Sequence, residues 1–471
     1  MEESQAPGII FSQSAISSEE LNQLIAQQFI SPEIKLLIAA LPPTTELFLV
    51  GGCLRDFLCA KSAFDIDLTC SLAPKQIKSA LQSANIRTID TGIEHGTLTA
   101  LFKNETKIEI TSFRQPGVRS DFALGTSIEQ DLLGRDFTLN AIAFDLKKLQ
   151  LIDPYNGLVD LKNNLLRTPG AAEERLLEDP ARILRAVRFG PAAGRKVTSE
   201  LAQSLIKHVS LLESVAVERI RVELEKILLT GHTRSAFMAM RDWHIIQTLL
   251  PEVVATFDFA QNEFHHEDVF QHTLSVVENI PAERILRWAA LFHDLGKPAT
   301  LSIGPDNRRH FYNHEDVSAK LAERIMFRLK FSEKDRTSIN MLVQLHMRPI
   351  TCGAPGARRL LRDLGPLFES WMHFKKADRP PIYSDSLLKK QFDAFCKLIE
   401  TERARTVGSV FDPLAVDGFD LQELGIKPGK LMGEVLRDLR ETVLLKPELN
   451  TKEILLKLTK EIIDKKAQIK L

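Results

Sequence analysis

Apolar runs and short alternating segments follow one another in the first third of the chain. Residues 47–50 form a continuous apolar run that ends at Gly51-Gly52, which predicts a buried strand entering a tight turn. Residues 97–102 and 107–111 alternate apolar and polar positions on either side of a polar turn, which predicts a hairpin. This part of the chain therefore predicts a small mixed sheet with helices.

From residue 171 onward the apolar positions change to helical spacing, as at Ile183, Leu184 and Val187, and strand signals nearly vanish. A helical lead-in is also predicted before the first strand, over residues 8–45, with a start signal at residues 17–20. The sequence thus predicts an α/β head of about 150 residues followed by a long all-helical body.

The composition is that of a globular protein, with 471 residues, 44% of them hydrophobic and 26% charged. The N-terminal residues form no signal segment and no apolar run is long enough to span a bilayer, so we expect a cytoplasmic protein without a membrane partner. The net charge of −1 does not by itself indicate nucleic-acid binding. The five scattered cysteines form no C-x-x-C pair, and we interpret them as buried free thiols rather than disulfides or zinc ligands.

Two aspartates two residues apart are the first sign of chemistry. In a strand, Asp65 and Asp67 lie on the same face, and carboxylates so close repel each other unless a cation lies between them. Glu109, on a strand that can lie beside theirs, can supply a third carboxylate. A D-x-D pair alone is common on exposed strand edges, but this ordered combination favours a site for two Mg²⁺ ions that bridge carboxylates and substrate phosphates.

The preceding turn has the features of a phosphate-binding loop. Gly51 and Gly52 let the backbone approach a triphosphate without a Cβ in the way, and Arg55 lies one turn into the following helix, within reach of the same phosphates. In this scheme one metal activates an attacking 3′-hydroxyl, and the other holds the β- and γ-phosphates and offsets charge on the leaving pyrophosphate.

Taken in order, three motifs resemble a known family. The sequences G-G-x-x-R-D, D-x-D-L-T and E-x-T-x-F-R are similar to motifs of the class II tRNA nucleotidyltransferases and bacterial poly(A) polymerases, in the polymerase-β superfamily. The resemblance implies that Asp65 and Asp67 are metal ligands and that Glu109 is the third catalytic carboxylate. It also implies that Gly52 and Arg55 contact the incoming nucleotide.

Further motifs continue the family's order. The run D-L-L-G-R-D-F-T-L-N-A is similar to the motif in which Arg, Asp and Asn embrace ribose and phosphates, and Gly134 stands where the family has its first arginine. A hinge-like D-P-Y-N-G motif begins at Asp153, an E-D-x-x-R motif follows, and Glu218-Arg219 with Glu223 matches a later helical motif. The resemblance implies nucleotide-binding roles for Arg135, Asp136, Asn140, Glu178, Asp179, Arg182, Arg185 and Arg188.

The E-D-x-x-R motif also permits a geometric interpretation. Asp179 and Arg182 are three residues apart, so in a helix they lie on one face. A carboxylate beside a guanidinium presents acceptor and donor groups that can pair with cytosine or adenine, which would select the nucleotide without a template. The alternative is that these charges form an ordinary solvated helix face.

One segment departs from the family pattern. Residues 114–131 are shorter than the loop that helps CCA-adding members switch from C to A, and they contain no tyrosine. CC-only or A-only addition therefore stays open beside full CCA addition. A poly(A) polymerase also stays open, although the chain lacks the strongly basic extension of those members.

Nine of the twelve histidines lie between His244 and His373. The motifs Q-H-T and H-D-L-G-K, with a later aspartate, resemble the helical, metal-binding HD phosphohydrolase superfamily. We expect Ni²⁺, Mn²⁺ or Mg²⁺ there, serving a phosphohydrolase activity or a structural or RNA-positioning domain. The implied ligands are His272, His293, Asp294 and Asp378, which His314 and His346 can extend to a second metal.

The sequence therefore predicts an α/β polymerase-β-like nucleotidyltransferase head followed by an all-α body with an HD-type domain. The expected activity is addition of C and A to the tRNA 3′ end from CTP and ATP, with no DNA partner. The rival of another class is an HD phosphohydrolase with an RNA-binding head. Candidates for contacts with tRNA phosphates are Arg358, Arg359, Arg362, Lys375 and Lys376. The predicted parts are a lead-in (1–45), the head (46–168), a helical neck with nucleotide- and RNA-binding motifs (169–250), the HD domain (251–400) and a C-terminal helical segment (401–471).

Overall fold

The computed structural model describes residues 17–61, 65–115, 117, 124–261, 267–378, 386–405 and 412–469. The chain forms two compact units, which divide between Val254 and Ala255. The finer five-part division of the chain stays a prediction.

The first unit contains the predicted mixed sheet. Its seven strands are β1 Leu47–Val50, β2 Asp67–Cys70, β3 Arg87–Gly92, β4 Thr97–Leu101, β5 Lys107–Ser112, β6 Ala143–Asp145 and β7 Gln150–Ile152. Their order across the sheet is β3-β4-β5-β2-β1-β6-β7. Strands β2 and β5 are parallel, and the other neighbouring pairs are antiparallel. The predicted strand at 47–50 and the hairpin of β4 and β5 are confirmed.

The central strand β1 fixes the position of the site because all four of its side chains are buried. Phe48 and Val50 pack in one cluster with Phe113, Ile128 and Leu132. A one-residue shift of β1 would exchange its two buried faces, so this packing holds the register of its neighbours. Strand β2 is thereby kept between β1 and β5, which brings the D-x-D segment beside the strand that carries the third acid.

Helices surround and follow this sheet. The predicted helix start is confirmed, since Ser17 and Glu20 form a reciprocal capping box, while residues 8–16 lie outside the described residues. A short parallel pair, β8 Leu165–Leu166 and β9 Lys196–Val197, joins two connecting segments. The α-helices described in this unit are α1 Ser18–Phe29, α2 Pro32–Ala40, α3 Gly52–Leu58, α4 Pro74–Ser83, α5 Ile128–Leu133, α6 Gly157–Lys162, α7 Ala172–Glu178, α8 Arg182–Phe189, α9 Ser199–His208, α10 Val217–Leu228, α11 Thr233–Asp242 and α12 Ile245–Leu249.

The second unit is helical apart from one small hairpin, β10 Ser302–Ile303 with β11 Arg309–His310. Its described helices are α13 Val269–Asn279, α14 Arg284–Phe292, α15 His314–Arg328, α16 Glu333–Leu345, α17 Ala354–Leu364, α18 Phe368–Ala377, α19 Ser386–Arg403, α20 Gly418–Glu423, α21 Lys430–Leu445 and α22 Lys452–Ile469. Helices α20, α21 and α22 share a core of their own around Leu421, Val435 and Leu455. Among the described helices, none has the length and apolar character needed to cross a membrane.

All five cysteines are free, as predicted, and three of them are fully buried in the head. Burial raises the pKa of the Cys53 and Cys70 thiols to about 11, which keeps both thiols protonated at neutral pH. Cys352 and Cys396 are half-buried rather than buried. The cysteines therefore add packing volume and no disulfide constraint.

Candidate nucleotide and metal sites

The parallel pairing of β2 with β5 brings the predicted carboxylates together. Asp67 and Glu109 are direct partners in the register. Strand β2 begins at Asp67, so Asp65 precedes the strand by two residues instead of lying within it as predicted. Burial raises the pKa of Asp67. The nearby carboxylates of Glu109 and Asp65 raise this pKa further, whereas the Arg135 guanidinium acts to lower it. The local negative charge is thus incompletely compensated by the protein, which fits a place for divalent cations.

The oxygens of the three head carboxylates do not converge to one point. Among the described residues, the acidic and histidine groups whose ligand atoms all lie within 4.8 Å of one another are in the second unit, not here. Because Mg²⁺ usually completes its shell with water and substrate phosphates, this open arrangement suits metals that arrive with a nucleotide.

Both the backbone conformation and the close packing around residue 51 require glycine in the predicted turn. Gly51 has φ +78°, and a Cβ on it would lie 3.1 Å from Arg135 Nη1 and 3.6 Å from Asp67 Oδ2. An L residue at this position would be strained, and its Cβ would crowd Arg135. The bare turn therefore leaves room for the side chains of Arg135 and Asp67 near the start of α3.

These groups line one cleft of about 1020 Å³. The cleft brings together segments that are distant in sequence, from the start of α3 through β2 and β5 to α8 and α10. All the residues predicted to be catalytic or to bind the nucleotide line it: Gly51, Gly52, Arg55, Asp65, Asp67, Glu109, Arg135, Asp136, Asn140, Glu178, Asp179, Arg182, Arg185 and Arg188.

A chain of hydrogen bonds connects α3 to α8 across the floor of the cleft. Arg55 Nη1 donates to Asn140 Oδ1 at 2.7 Å, Asn140 Nδ2 donates to Asp136 Oδ1 at 2.8 Å, and Arg185 Nε donates to Asp136 Oδ2 at 2.8 Å. Burial acts to raise the pKa of Asp136, but Arg185 and Asn140 outweigh it and leave the pKa below its ordinary value. Asp136 therefore stays ionised and holds two nucleotide-site residues in place.

The structure corrects the helical interpretation of E-D-x-x-R. Asp179 is not in a helix, because α7 ends at Glu178 and Asp179 is extended, with φ −140° and ψ 97°. The physical reason is Pro180, which disfavours helical backbone in the residue before it and cannot donate to the preceding turn. Asp179 and Arg182 both line the cleft, yet they do not share a helix face.

Each member of this pair is instead held by its own partners. Arg219 Nη2 donates to Asp179 Oδ2 at 2.9 Å, and the Ala181 amide donates to Asp179 Oδ1 at 3.1 Å. Arg182 donates to Glu178 Oε2 at 3.0 Å and to the carbonyl of Gly134 at 2.6 Å. Gly134, where the chain departs from the family motif, thus contributes its backbone oxygen.

Helix α10 supplies contacts whose role the sequence interpretation missed. Arg219 orients Asp179, and Glu223 Oε2 accepts from Arg188 Nε at 2.6 Å. The four-residue spacing of Arg219 and Glu223 on one helix was the available signal. Phe189 was also missed: its ring lies under Arg55, Arg185 and Arg188.

The six predicted HD ligands all converge in the second unit, as two groups of three. The first group is His272, His293 and Asp378, and the second is Asp294, His314 and His346; within each, the ligand atoms lie within 4.8 Å of one another. Asp294 connects the groups, because its Oδ2 lies 3.0 Å from His293 Nε2 and its Oδ1 lies 3.2 Å from His314 Nε2. Lys297, unassigned in the sequence interpretation, contacts Asp294 Oδ2 at 2.6 Å.

The tautomers of three histidines are set by backbone carbonyls. Nδ1 of His293, His314 and His346 lies 2.8, 2.7 and 2.6 Å from the carbonyl oxygens of the residues three positions earlier. Only an N–H can make these contacts, so each Nδ1 carries a proton and each Nε2 is the ring nitrogen that faces the cluster. The Nε2 atoms of His314 and His346 are only 3.2 Å apart, an arrangement that a cation between them would stabilise.

The electrostatics of the cluster also fit a metal. Burial lowers the pKa of His346 to about 3, which keeps its imidazole neutral, the form that binds metal. Burial alone would lower the pKa of His293 too, but Asp294 and Asp378 raise it to about 10. A proton on His293 thus takes the place that a divalent ion would fill among these carboxylates.

The predicted contacts with tRNA are wrong for two of the five basic residues. Arg358 is buried and donates to Glu402 Oε2 at 3.0 Å and to the carbonyl of Leu444 at 2.6 Å. Lys375 is buried and donates to the carbonyl of His346 at 2.6 Å. Both side chains satisfy internal groups, so neither can reach a phosphate at the surface.

Arg359 and Arg362 both pair with Glu441, at 2.9 and 2.7 Å, and Lys376 lies over the ring of Phe392. These three side chains are partly exposed, and their predicted tRNA contacts stay predictions.

Comparison with known proteins follows the same order of parts. Residues 47–167 match the family described as "Poly A polymerase head domain", residues 196–256 match "Probable RNA and SrmB- binding site of polymerase A", and residues 265–402 match "HD domain". The "A-adding tRNA nucleotidyltransferase" of Deinococcus radiodurans is 32% identical over 340 residues, which are 69% of this chain and 77% of that protein.

Two further relatives cover more of the chain. The "CCA-adding enzyme" of Ligilactobacillus salivarius is 29% identical over 437 residues, which are 89% of this chain and 94% of that protein. The fold is shared with the CCA-adding enzyme of Bacillus stearothermophilus in complex with CTP, at a TM-score of 0.66 and 22% identity, covering 93% of this chain and 100% of that one. Since the matches run through head, neck and HD domain in the order that the motifs predict, the chain belongs to the family of tRNA nucleotidyltransferases and bacterial poly(A) polymerases that carry an HD domain.

Proposed function

We propose that this protein adds nucleotides to the 3′ end of tRNA without a template, completing CCA from CTP and ATP and releasing pyrophosphate. The observation that carries the proposal is the cleft whose lining includes both the Asp67–Glu109 pair and the arginines of α8. A cleft lined by both carboxylates and guanidinium groups matches a reaction that joins a hydroxyl to a triphosphate. Relatives in the family are named for A addition and for CCA addition.

In this proposal Asp65 and Asp67 hold Mg²⁺, and Glu109 adds a third carboxylate beside them. Held by these residues, Mg²⁺ would supply activation of the RNA 3′-hydroxyl and compensation for charge on the pyrophosphate. The bare backbone at Gly51-Gly52 admits the triphosphate close to these acids. The protein's own contribution is to orient the phosphates and to hold the acids beside them.

Base selection is assigned to Asp179 and Arg182, acting as two separately held side chains. The Asp179 carboxylate accepts hydrogen bonds, and the amino groups of cytosine and adenine are donors, whereas uracil has a carbonyl at the equivalent position of cytosine. Arg219 and Ala181 fix the direction of this carboxylate, and Glu178 and Gly134 fix Arg182. The C-or-A preference then follows from where these two groups point.

An incorporation assay with Mg²⁺ tests the proposal. tRNA transcripts that end before CCA, at C and at CC are each offered CTP, ATP or both. We expect CC from CTP alone, A on the CC-ended transcript from ATP alone, and complete CCA from the mixture. Absence of addition to every transcript would contradict the proposal, and processive ATP addition to unstructured RNA would identify a poly(A) polymerase instead.

A-only addition is the second candidate, and two observations favour it. The Deinococcus radiodurans relative is named an A-adding enzyme, and residues 114–131 are short and lack tyrosine. The same assay separates the candidates, because an A-adding enzyme extends only the CC-ended transcript and leaves the shorter two unchanged.

For the second unit we propose a metal-dependent phosphohydrolase activity, on the evidence of six converging ligands. Hydrolysis of a 2′,3′-cyclic phosphate at an RNA end, with Ni²⁺, Mn²⁺ or Mg²⁺ supplied in turn, tests it. Asp294→Asn should abolish hydrolysis, and Asp67→Asn should leave hydrolysis intact. Equal hydrolysis by both variants would leave this unit with a structural or RNA-positioning role.

A further inference from the structure

Phe189 lies where the arginines of the cleft meet. It is the last residue of α8, it is 8% exposed, and its ring lines the cleft. The guanidinium carbons of Arg55, Arg185 and Arg188 lie 4.8, 5.3 and 4.0 Å from its ring centre. Arg55 comes from α3 and the other two from α8, so the ring joins cations from two separate helices.

Three guanidinium groups this close repel one another, and each is partly balanced by a carboxylate. The pairs are Arg55 with Asp56 at 2.8 Å, Arg188 with Glu223 at 2.6 Å, and Arg185 with Asp136. Burial lowers the pKa of Arg188, which reports that its guanidinium has lost much of its water. The negative face of an aromatic ring attracts such desolvated cations without adding a formal charge that would repel phosphate.

The ring is held independently of the three arginines. Arg195 Nη1 donates to the backbone carbonyl of Phe189 at 3.2 Å. Phe137 meets the ring edge-to-face, with ring centres 5.9 Å apart. Phe189 is therefore a fixed point against which the flexible arginines can rest.

We propose that Phe189 is a positioning residue for the triphosphate of the incoming nucleotide. Its ring gathers Arg55, Arg185 and Arg188 into one cationic surface before the ligand binds, so that less side-chain freedom is lost on binding. The identity of the ligand as a nucleoside triphosphate rests on the proposed function. The positioning role requires only that a polyphosphate binds in the cleft.

Stepwise fluorination of the ring tests the proposal, because fluorine weakens the negative face of the ring with little change of shape. Phenylalanines with one, two and three fluorines are incorporated at position 189 of the full chain, and binding of inorganic tripolyphosphate with Mg²⁺ is measured by calorimetry. We expect progressive weakening, to about tenfold for the trifluorinated ring. The matched control is the same series at Phe144, a fully buried residue of β6, where binding should be unchanged.

Melting temperatures separate positioning from packing. A residue that only fills the core would lower the melting temperature of its variants without the ordered loss of tripolyphosphate affinity. Phe189→Leu, which keeps an apolar side chain and removes the ring, should bind tripolyphosphate at least as weakly as the trifluorinated variant. Equal affinity across the fluorine series, equal losses at Phe144, or no binding by the unaltered chain would overturn the proposal.

The incorporation assay on tRNA keeps the two hypotheses apart. If the unaltered chain extends no tRNA but binds tripolyphosphate in a fluorine-dependent way, the proposed function fails and the role of Phe189 stands. If the unaltered chain extends tRNA but tripolyphosphate binding shows no fluorine dependence, the proposed function stands and the role of Phe189 fails.

Discussion

The head and the HD cluster each bring carboxylates together, but they differ in how complete each set of ligands is. In the head, Asp67 and Glu109 face an open cleft, and their oxygens form no closed set with Asp65. In the second unit, two sets of three ligand atoms converge within 4.8 Å, and backbone carbonyls already fix three of the imidazoles.

This difference indicates two kinds of metal use. A preset shell of buried imidazoles and carboxylates is built for an ion that stays with the protein. An incomplete set of acids beside a phosphate-binding surface is built for ions that arrive and leave with substrate. Metal removal should therefore affect the two units differently, and substitutions in each unit can distinguish the two kinds of metal site.

The largest effect is expected from Asp67→Asn in the head. Loss of this carboxylate removes a proposed metal ligand next to the reacting atoms, so nucleotide addition should fall by roughly 10³-fold. Single-turnover incorporation of ATP into CC-ended tRNA measures the loss. Asp90→Asn, exposed on strand β3 and paired with Lys78 at 2.7 Å, is the control and should keep full activity. Comparable losses in both variants would mean that Asp67 has no special role.

The next effect concerns the metal proposed for the HD cluster. Asp294→Asn removes the side chain that connects the two ligand groups, so metal affinity should fall by about 100-fold or more while nucleotide addition stays unchanged. Elemental analysis after dialysis against a chelator measures metal retention, and the tRNA incorporation assay measures nucleotide addition. His310→Ala, outside both ligand groups, should retain metal. A parallel loss of nucleotide addition would contradict the independence of the two sites.

A smaller effect is expected at Asp179, the proposed base-selecting carboxylate. Arg219→Gln frees the Asp179 carboxylate from its guanidinium partner, so preference for CTP over UTP should fall about tenfold. The ion pair is more than half exposed on the arginine side, so the melting temperature should hardly change. Ratios of kcat/KM for the two nucleotides give the measurement, with Lys207→Gln on α9 as the control. Unchanged selectivity would show that Arg219 does not orient Asp179.

Much of this arrangement was predictable because short-range signals carry it. Local patterns predict part of the sheet: the apolar run at 47–50, the Gly51-Gly52 turn, and the alternation in β4 and β5. The catalytic and nucleotide-binding residues predicted from the motifs all line the cleft. The error at Asp179 came from treating a three-residue spacing as helical although Pro180 follows it, and the proline was the signal to the contrary.

The sequence could not predict which side chains are buried by segments distant along the chain. Arg358 and Lys375 look like surface cations in a helical pattern, and only the packing of distant segments reveals their internal partners. The convergence of three arginines on Phe189 also depends on how α3 and α8 meet across the sheet. No local pattern at Phe189 distinguishes it from an ordinary core residue.

The smallest predicted effect is a pH-dependent change in stability that belongs to the head alone. Because burial and the neighbouring acids raise the pKa of Asp67, the folded state binds its proton more tightly than the unfolded state does. The favourable contribution is fully present below the unfolded pKa of about 3.9 and is lost as pH rises through the raised folded pKa.

Without metal, the melting temperature of the unaltered protein should therefore fall relative to that of Asp67→Asn as pH is raised from about 4 to 7. Added Mg²⁺ with tripolyphosphate should reduce the gap, since cations bound at the carboxylates replace the lost proton. A gap that does not change with pH, or one that Mg²⁺ leaves untouched, would mean that the head acids are compensated within the protein. The head would then resemble the HD cluster in holding its charges balanced without substrate, and the contrast between the two sites would disappear.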